Sequence, residues 1–384
     1  MALVAYIVIV AIRAWLSVRY ARSQVTLPEA ATASSGPVTV LQPILGGDPS
    51  LASVLKENLT NASASTRFIW LVDEDDATGQ AAAESAASND PQCVDVHLCP
   101  PARQSMNPKA SKLRIGLAEV DTPFVAVLDD DTAIDAATLA SAVAHLQDCE
   151  LYTGLPCYRR GTTIWSSLVA HLVNSSAVTT YLPLLTFMSP ITINGMFYVM
   201  RTDWLRNAGG FEAVEDQLCD DYAVAKLVRG HGGTLKQGTS VQYLQTHVRN
   251  RADYIRLMRR WFIFANQLVD DQPLKIRLLL IVMLALPPTL LWIGIGAVFS
   301  GVWGIVGLVA VLFVRHGIIR WTHRCVYPEL LEFNCLHSLV AELLQPFFWL
   351  LAYGQRTFRW RTRRIRMLDC GRFEYVDIGV PRDK

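Results

Sequence analysis

The chain has 384 residues, 51% of them hydrophobic and 18% charged, with 35 basic and 34 acidic side chains. It is too apolar for an ordinary soluble enzyme and too charged in its middle for a simple transporter. Nucleic-acid binding has no support either, because the arginine-rich tail adjoins an apolar segment, where anionic lipid headgroups are the simpler partner. Eight cysteines form no CxxC pair, and read as reduced, buried thiols of a cytosol-facing protein rather than as disulfides or a zinc site.

Residues 2–18 are apolar apart from Arg13. A full membrane span takes about 20 apolar residues, so this one suffices if Arg13 snorkels. The basic residues Arg13, Arg19 and Arg22 come after the start of the apolar run, unlike those of a cleaved signal peptide. Residues 1–22 therefore read as an anchor, with the chain that follows in the cytosol. A Ser-, Thr-, Ala- and Pro-rich linker at 23–36 comes next. Strands are then predicted at 38–44, 67–76, 94–99 and 123–131, alternating with helices at 50–60, 77–89, 109–120 and 135–147. This alternation indicates an α/β fold with a mainly parallel sheet, and such sheets bind ligands at the carboxyl ends of their strands. A further strand at 191–201 and a helix at 220–230 complete a catalytic domain over 37–272.

The character changes beyond 272. Residues 276–300, interrupted by Pro287-Pro288, and 302–319 are long and apolar enough to span. Residues 335–354 are less pure, containing His337, Glu342, Gln345 and Pro346. These segments form a C-terminal membrane region at 273–354, followed by a basic tail at 355–384 with Arg356, Arg359, Arg361, Arg363, Arg364 and Arg366. If the catalytic domain is cytosolic, two spans return the chain to the cytosol. A third complete span would carry the arginines outside, against the positive-inside rule. Residues 335–354 are therefore expected to be re-entrant or interfacial.

The chemistry is carried by carboxylates. Asp129-Asp130-Asp131 follows the strand sequence VAVL. Alternation along an extended chain puts Asp129 and Asp131 on one side, and a hard divalent cation relieves their repulsion. The plainer alternative is an acidic loop. Asp73, with Asp75 and Asp76, ends the strand FIWLV, where a carboxylate can bond the base or ribose of a nucleotide; a solvated turn is the alternative. Asp220-Asp221-Tyr222 opens a helix. One of the pair reads as a cap, while Asp221 is placed as a general base for an acceptor hydroxyl. Arg259-Arg260-Trp261 stands before the membrane region and by itself reads as an interfacial belt. Lys109, in Asn107-Pro108-Lys109, opens a helix and is placed to reach a phosphate of the donor, beside helix amides that suit an anion; alone it reads as a surface lysine.

Taken in order, Asp73, Asp129-x-Asp131, Asp221 and Arg260-Trp261 match the D, D, D, (Q/R)xxRW series of family 2-like glycosyltransferases of the GT-A fold. Within that group the chain resembles the ceramide glucosyltransferases of family 21. The stretches that carry the resemblance are VTVLQPILGGDPSL, LVDEDDAT, SMNPKASKL, LDDDTAIDAATL, YTGLP, NGMFYVMRTDWLRNAGGF, DDYAVAKL and TFRWRTRRIRM, spread over 38–366. The resemblance implies a GT-A nucleotide-sugar domain with membrane helices at both ends and an inverting single displacement. The donor would be UDP-glucose and the acceptor the primary hydroxyl of a ceramide-like membrane lipid. Asp73 would contact the uridine, and Asp129 and Asp131 the sugar nucleotide and a Mn2+ or Mg2+ ion, with Asp131 the direct ligand. Asp221 would be the base, while Arg260 and Trp261 would close over the diphosphate and acceptor. Leu257 departs from the family pattern, which has Gln or Arg there; Arg256 and Arg259 are the neighbours able to compensate. A relative that glycosylates hopanoid polyols from a UDP-N-acetylglucosamine donor is the main alternative. A polysaccharide synthase fits less well, having more spans to thread its polymer.

Overall fold

The computed structural model describes residues 1–24, 36–88, 93–103, 105–327, 332–360 and 363–376. The linker expected at 23–36 lies almost wholly outside them, as do Arg361 and the end of the tail. Two compact units emerge. A sheet unit comprises Thr26–Pro156, Ser189–His247 and Arg356–Lys384, and a helical unit comprises Met1–Val25, Cys157–Met188 and Val248–Gln355.

In the sheet unit, β1 (Val38–Ile44), β2 (Thr66–Asp73), β3 (Val94–Cys99) and β4 (Phe124–Leu128) alternate with α2 (Leu51–Thr60), α3 (Ala77–Ala87) and α4 (Pro108–Ala118), and α5 (Ala136–Ala144) follows. α1 (Ala2–Ser23) belongs to the other unit. β1 pairs in parallel with both β2 and β4, and β2 with β3. Every residue of β1 is buried, as expected of a parallel strand covered on both faces. The sheet has eight strands, in the order β3-β2-β1-β4-β7-β6-β8-β5. The remaining members are β5 (Thr132–Ala133), β6 (Leu151–Tyr158), β7 (Phe197–Arg201) and β8 (Leu235–Leu244). β7 runs antiparallel to β4.

The strand expected at 191–201 starts only at Phe197. Upstream of it the chain turns through Asn194-Gly195, where a Cβ on Gly195 would lie 2.7 Å from the Cβ of Asp221. Two short helices, α8 (Thr202–Asn207) and α9 (Asp220–Gly230), follow β7. The described part of the tail is also folded. β9 (Thr357–Trp360), β10 (Arg363–Met367) and β11 (Phe373–Val376) make a separate antiparallel sheet.

The helical unit contains α1, then α6 (Ile164–His171) and α7 (Val178–Leu184) joined by a π-helical segment at Leu172–Ala177. It continues with α10 (Arg251–Asp270), α11 (Leu274–Gly296), α12 (Val302–Val326) and α13 (Cys335–Ala352). Four helical segments among the described residues are long and apolar enough to cross a membrane: Ala2–Ser23, Leu274–Ser300, Val302–Val326 and Cys335–Ala352. The chain is thus built as an integral membrane protein.

Arg13 does not snorkel. It is buried, and its Nε donates to Thr179 O, its Nη1 to Met283 O at 3.4 Å and its Nη2 to Thr180 Oγ1. Thr179 and Met283 each stand four residues before a proline within a helix, Pro183 and Pro287. A proline has no N–H, so the carbonyl four residues earlier loses its helical donor. In a lipid environment such a carbonyl must be satisfied from elsewhere. Arg13 caps both. A second polar group is neutral overall: Arg315 Nη2 meets Glu342 Oε2 at 2.6 Å, and Tyr6 Oη donates to Glu342 Oε1 at 3.0 Å while accepting from Arg315 Nε at 2.8 Å.

Candidate active site

The carboxyl ends of β1, β2 and β4 bring most of the predicted residues into one region of the sheet unit. At its centre is Lys109, on the first turn of α4. Asn107 caps that helix, accepting from Lys109 N and Ala110 N, with Pro108 at the first helical position; both features stabilise a helix start. The Lys109 Nζ lies 2.7 Å from Asp129 Oδ1, 3.1 Å from Asp220 Oδ2 and 2.8 Å from Gly195 O. Burial alone would lower the pKa of this ammonium, but Asp129 and Asp220 outweigh it and hold it well above its ordinary value. Lys109 is therefore a fixed cation joining two of the carboxylate motifs.

The three aspartates after β4 divide their roles. Asp130 faces inward to structure, its Oδ2 accepting from Leu45 N at 2.7 Å. Asp129 meets Lys109. Asp131 accepts from Thr246 Oγ1 at 2.7 Å, and burial together with Asp129 pushes its carboxyl up to about 6. Asp48, just after β1, adds to that rise, while its own oxygens accept from Ser50 N at 2.8 Å and from Ser50 Oγ. Asp48 is a site-region carboxylate that sequence reasoning missed. It stands four residues beyond the end of β1, after the Gly46-Gly47 turn, too far from the strand to carry the acid-at-strand-end signal of the others. The Asp129 and Asp131 oxygens are of the type a hard divalent cation takes, and the raised Asp131 marks negative charge that a cation would relieve. Among the described residues no group of three or more His, Cys, Asp or Glu side chains is gathered closely enough to hold a metal. A cation here would draw its other oxygens from water or a bound diphosphate.

Asp73, at the end of β2, is held by Lys112 Nζ at 2.9 Å, and the same nitrogen donates to Ile44 O at 2.8 Å. Lys112 is buried and was also missed. It stands three residues after Lys109, on the same face of α4. Asp76 serves structure, accepting from Gly46 N and Gly79 N as the cap of α3.

Asp221 opens α9. Its Oδ1 accepts from Tyr222 N and from Cys219 Sγ, both at 2.7 Å. Burial and then the adjacent Asp220 push its carboxyl up to about 6. Burial and Asp221 in turn hold the Cys219 thiol well above its usual range. Tyr198, on β7, is a third residue not foreseen. Its hydroxyl is buried without a hydrogen-bond partner and feels the charges of Lys109, Asp220, Asp129 and Asp221.

Arg260 and Trp261 lie on α10, in the helical unit, and both are half-buried. The Trp261 ring meets Tyr158 edge to face at 6.3 Å. Of the residues able to stand in for Leu257, Arg256 is exposed and ion-paired with Asp253, and Arg259 donates to Gln355 Oε1.

A sheet of this order, with carboxylates at its strand ends and membrane helices in the same chain, makes the protein a glycosyltransferase of GT-A architecture. The family model for glycosyl transferase family 21 matches residues 1–373, and the chain belongs to that family. No curated protein matches it. Among solved structures, a mannosyltransferase from Pyrobaculum calidifontis, in complex with GDP-Man and Mn2+, is similar at 15% identity and a TM-score of 0.50. That likeness covers 89% of this chain and 99% of that one. A glucosyl-3-phosphoglycerate synthase from Mycobacterium tuberculosis, in complex with Mg2+ and UDP, is similar at 16% identity over 62% of this chain and 81% of its own, with a TM-score of 0.38.

Proposed function

We propose that this glycosyltransferase transfers glucose from UDP-glucose to the primary hydroxyl of ceramide or a ceramide-like membrane lipid, by a single inverting displacement at the cytosolic face. The observation that carries the reading is the Lys109-centred constellation, in which one cation ties Asp129 to Asp220 and leaves the neighbouring Asp221 as a buried carboxyl raised to about 6. A carboxylate with a raised pKa, placed beside a fixed cation, suits a general base at neutral pH. Asp221 takes the proton of the acceptor hydroxyl as its oxygen attacks the anomeric carbon. The bond from that carbon to the diphosphate breaks, and UDP leaves. Asp73, steadied by Lys112, receives the uridine.

Asp131 and Asp129 would hold a Mn2+ or Mg2+ ion, which when bound would supply positive charge for the departing diphosphate. The complex of the mannosyltransferase of like fold with GDP-Man and Mn2+ supports a nucleotide-sugar donor and a divalent cation. Arg260 and Trp261 close over the diphosphate and acceptor. The basic residues after the first apolar run, Arg19 and Arg22, support a cytosolic catalytic unit. A lipid acceptor suits a chain that is itself held in the bilayer, since both substrates are then positioned before reaction.

The test follows UDP release from UDP-glucose by the full chain in mild detergent, with and without ceramide and with Mn2+ present or chelated. Release should need all three components, and Asp221→Asn should slow it by ~10²–10⁴-fold. An Asp221→Asn protein as active as the wild type rejects the base. Release that occurs only with UDP-N-acetylglucosamine and a hopanoid polyol rejects the donor and acceptor while keeping the chemistry.

A further inference from the structure

The helical unit holds a cavity of about 30 Å³ among its helices, room for about two water-sized atoms at ~10–15 Å³ each. Its wall is drawn from α1, α7, α11, α12, α13 and the π-helical segment at Leu172–Ala177. From Arg13 to Val18, the last residue of the first apolar run, is ~8 Å along the helix axis. The cavity therefore lies a short way inside the apolar part of α1.

Its charges do not balance. Among the described residues that line it, Arg13, Arg315 and Glu342 are the charged ones, and all three are buried. Glu342 is already committed. Its Oε2 accepts from Arg315 Nη2 at 2.6 Å and Nε at 2.9 Å, and Tyr6 Oη lies 3.0 Å from both of its oxygens. Arg13 is left as a surplus positive charge among apolar helices. A charge at membrane depth is expensive and by default marks a functional site.

The hydrogen bonds point the same way. A guanidinium carries five N–H groups, one on Nε and two on each Nη. Nε donates to Thr179 O, Nη1 to Met283 O and Nη2 to Thr180 Oγ1. One N–H on each terminal nitrogen has no acceptor among the described residues. Two such N–H groups form the fork that takes the paired oxygens of a phosphate. Ser176 adds a third donor. Its Oγ accepts from Gln345 Nε2 at 2.9 Å, and its hydroxyl hydrogen has no acceptor among the described residues. Capping the two carbonyls thus leaves the charge of Arg13 and two of its donors unused.

We propose that this cavity binds the phosphate of an anionic membrane phospholipid, two of its oxygens held by Arg13 and Ser176. Two phosphate oxygens match the two water-sized atoms that the cavity accommodates. The phosphate brings the negative charge that Glu342 cannot supply, and a phospholipid reaches this depth from the bilayer itself. Such a lipid is distinct from the acceptor proposed above, and its binding needs neither donor nor acceptor.

For the test, the full chain is purified in a nonionic detergent, stripped of lipid and titrated with phosphatidylglycerol or with diacylglycerol, which lacks the phosphate. Bound lipid is counted by native mass spectrometry, and the thermal midpoint is followed alongside. Phosphatidylglycerol should be retained in preference and should raise the midpoint. Arg13→Gln should bind it roughly 10- to 100-fold more weakly, as expected for the loss of charge-assisted hydrogen bonds.

Loss of Arg13 also uncaps Thr179 and Met283, so a second variant leaves that residue in place. Ser176→Asp builds a carboxylate into the cavity. It should exclude the phosphate and raise the midpoint of the lipid-free protein, and the isosteric Ser176→Asn should not raise it. Should Arg13→Gln fail to fold, Ser176→Asp decides by itself. Equal retention of the two lipids, or phosphatidylglycerol binding that neither variant weakens, overturns the site. Inorganic phosphate that displaces phosphatidylglycerol at equal concentration makes this a soluble-anion site and overturns the lipid assignment. Because retention is read without turnover, the outcome does not depend on which sugar or acceptor the enzyme uses.

Discussion

Two adjacent carboxylates at a helix start, Asp220 and Asp221, meet different fates because only one touches Lys109. Asp220 has its counterion at 3.1 Å. Asp221 has a thiol and one backbone amide, and burial with its charged neighbour raises it to about 6. As the base proposed above, Asp221 must be ionised to accept a proton, so kcat/KM should fall about tenfold per unit as pH drops below about 6 and level off above it. Lys109 is one of the groups that lower the Asp221 pKa. In Lys109→Met that help is gone, so the inflection should move to higher pH as well as the plateau falling. The pH–rate profile of the variant against the wild type is the measurement. A lowered plateau with an unmoved inflection would mean that Lys109 acts only on the donor. In stability the sign is the reverse of the usual carboxylate. A carboxyl raised on folding contributes stability below its unfolded pKa and loses it as pH rises through about 6.

At the scale of elements, Arg13 shows how one side chain can tie together three helices that each carry a fault or a charge. Pro183 in α7 and Pro287 in α11 free the carbonyls of Thr179 and Met283, and the guanidinium reaches both. Each buried carbonyl left unsatisfied costs ~1–3 kcal/mol. Arg13→Met should therefore lower the thermal midpoint in detergent. The loss should shrink in a Pro183→Ala background, where residue 183 regains the N–H that Thr179 O lacks. A double-mutant cycle reads this directly, with a coupling of ~1 kcal/mol or more expected for groups in contact. Additive losses would show that Arg13 is held there for another reason.

The same scale shows what the sequence could reveal. Alternating apolar runs and helical stretches made β1 to β4 legible, and an acid at the end of an apolar run marked Asp73, Asp129 and Asp131. The partners of those acids were hidden. In sequence Lys109 reads as a phosphate contact at a helix start and Lys112 as an ordinary lysine; both become ion-pair centres only when α4 lies along the strand ends. β8 is interrupted by polar residues such as Lys236, Gln237 and Gln242, two of which are buried by tertiary packing. In β9 and β10 the apolar residues are so few that the arginines between them read as a tail. Arg13 read as a charge escaping the membrane because the two prolines that need it lie far away in the chain.

For the whole molecule, membrane topology follows from which segments share a unit. The chain leaves the sheet unit at His247 and re-enters it at Arg356. The two parts touch there through Leu218 N and Gly371 O. A unit on one side of a bilayer can be left and rejoined only through an even number of complete crossings, yet three apolar helices, α11, α12 and α13, lie between. We therefore expect one of them to fall short. At 18 residues α13 is the shortest, with the lowest mean hydropathy of the four apolar segments, 1.4. Its length of ~27 Å is less than the ~30 Å of a hydrocarbon core, and it carries Glu342 and Pro346. Cysteines introduced one at a time into a cysteine-free background should therefore sort into two groups with a membrane-impermeant thiol reagent. Arg229→Cys and Arg366→Cys should label from the same face, and Phe299→Cys, between α11 and α12, from the other. Labelling of Arg366→Cys from the face opposite Arg229→Cys would make α13 a complete crossing.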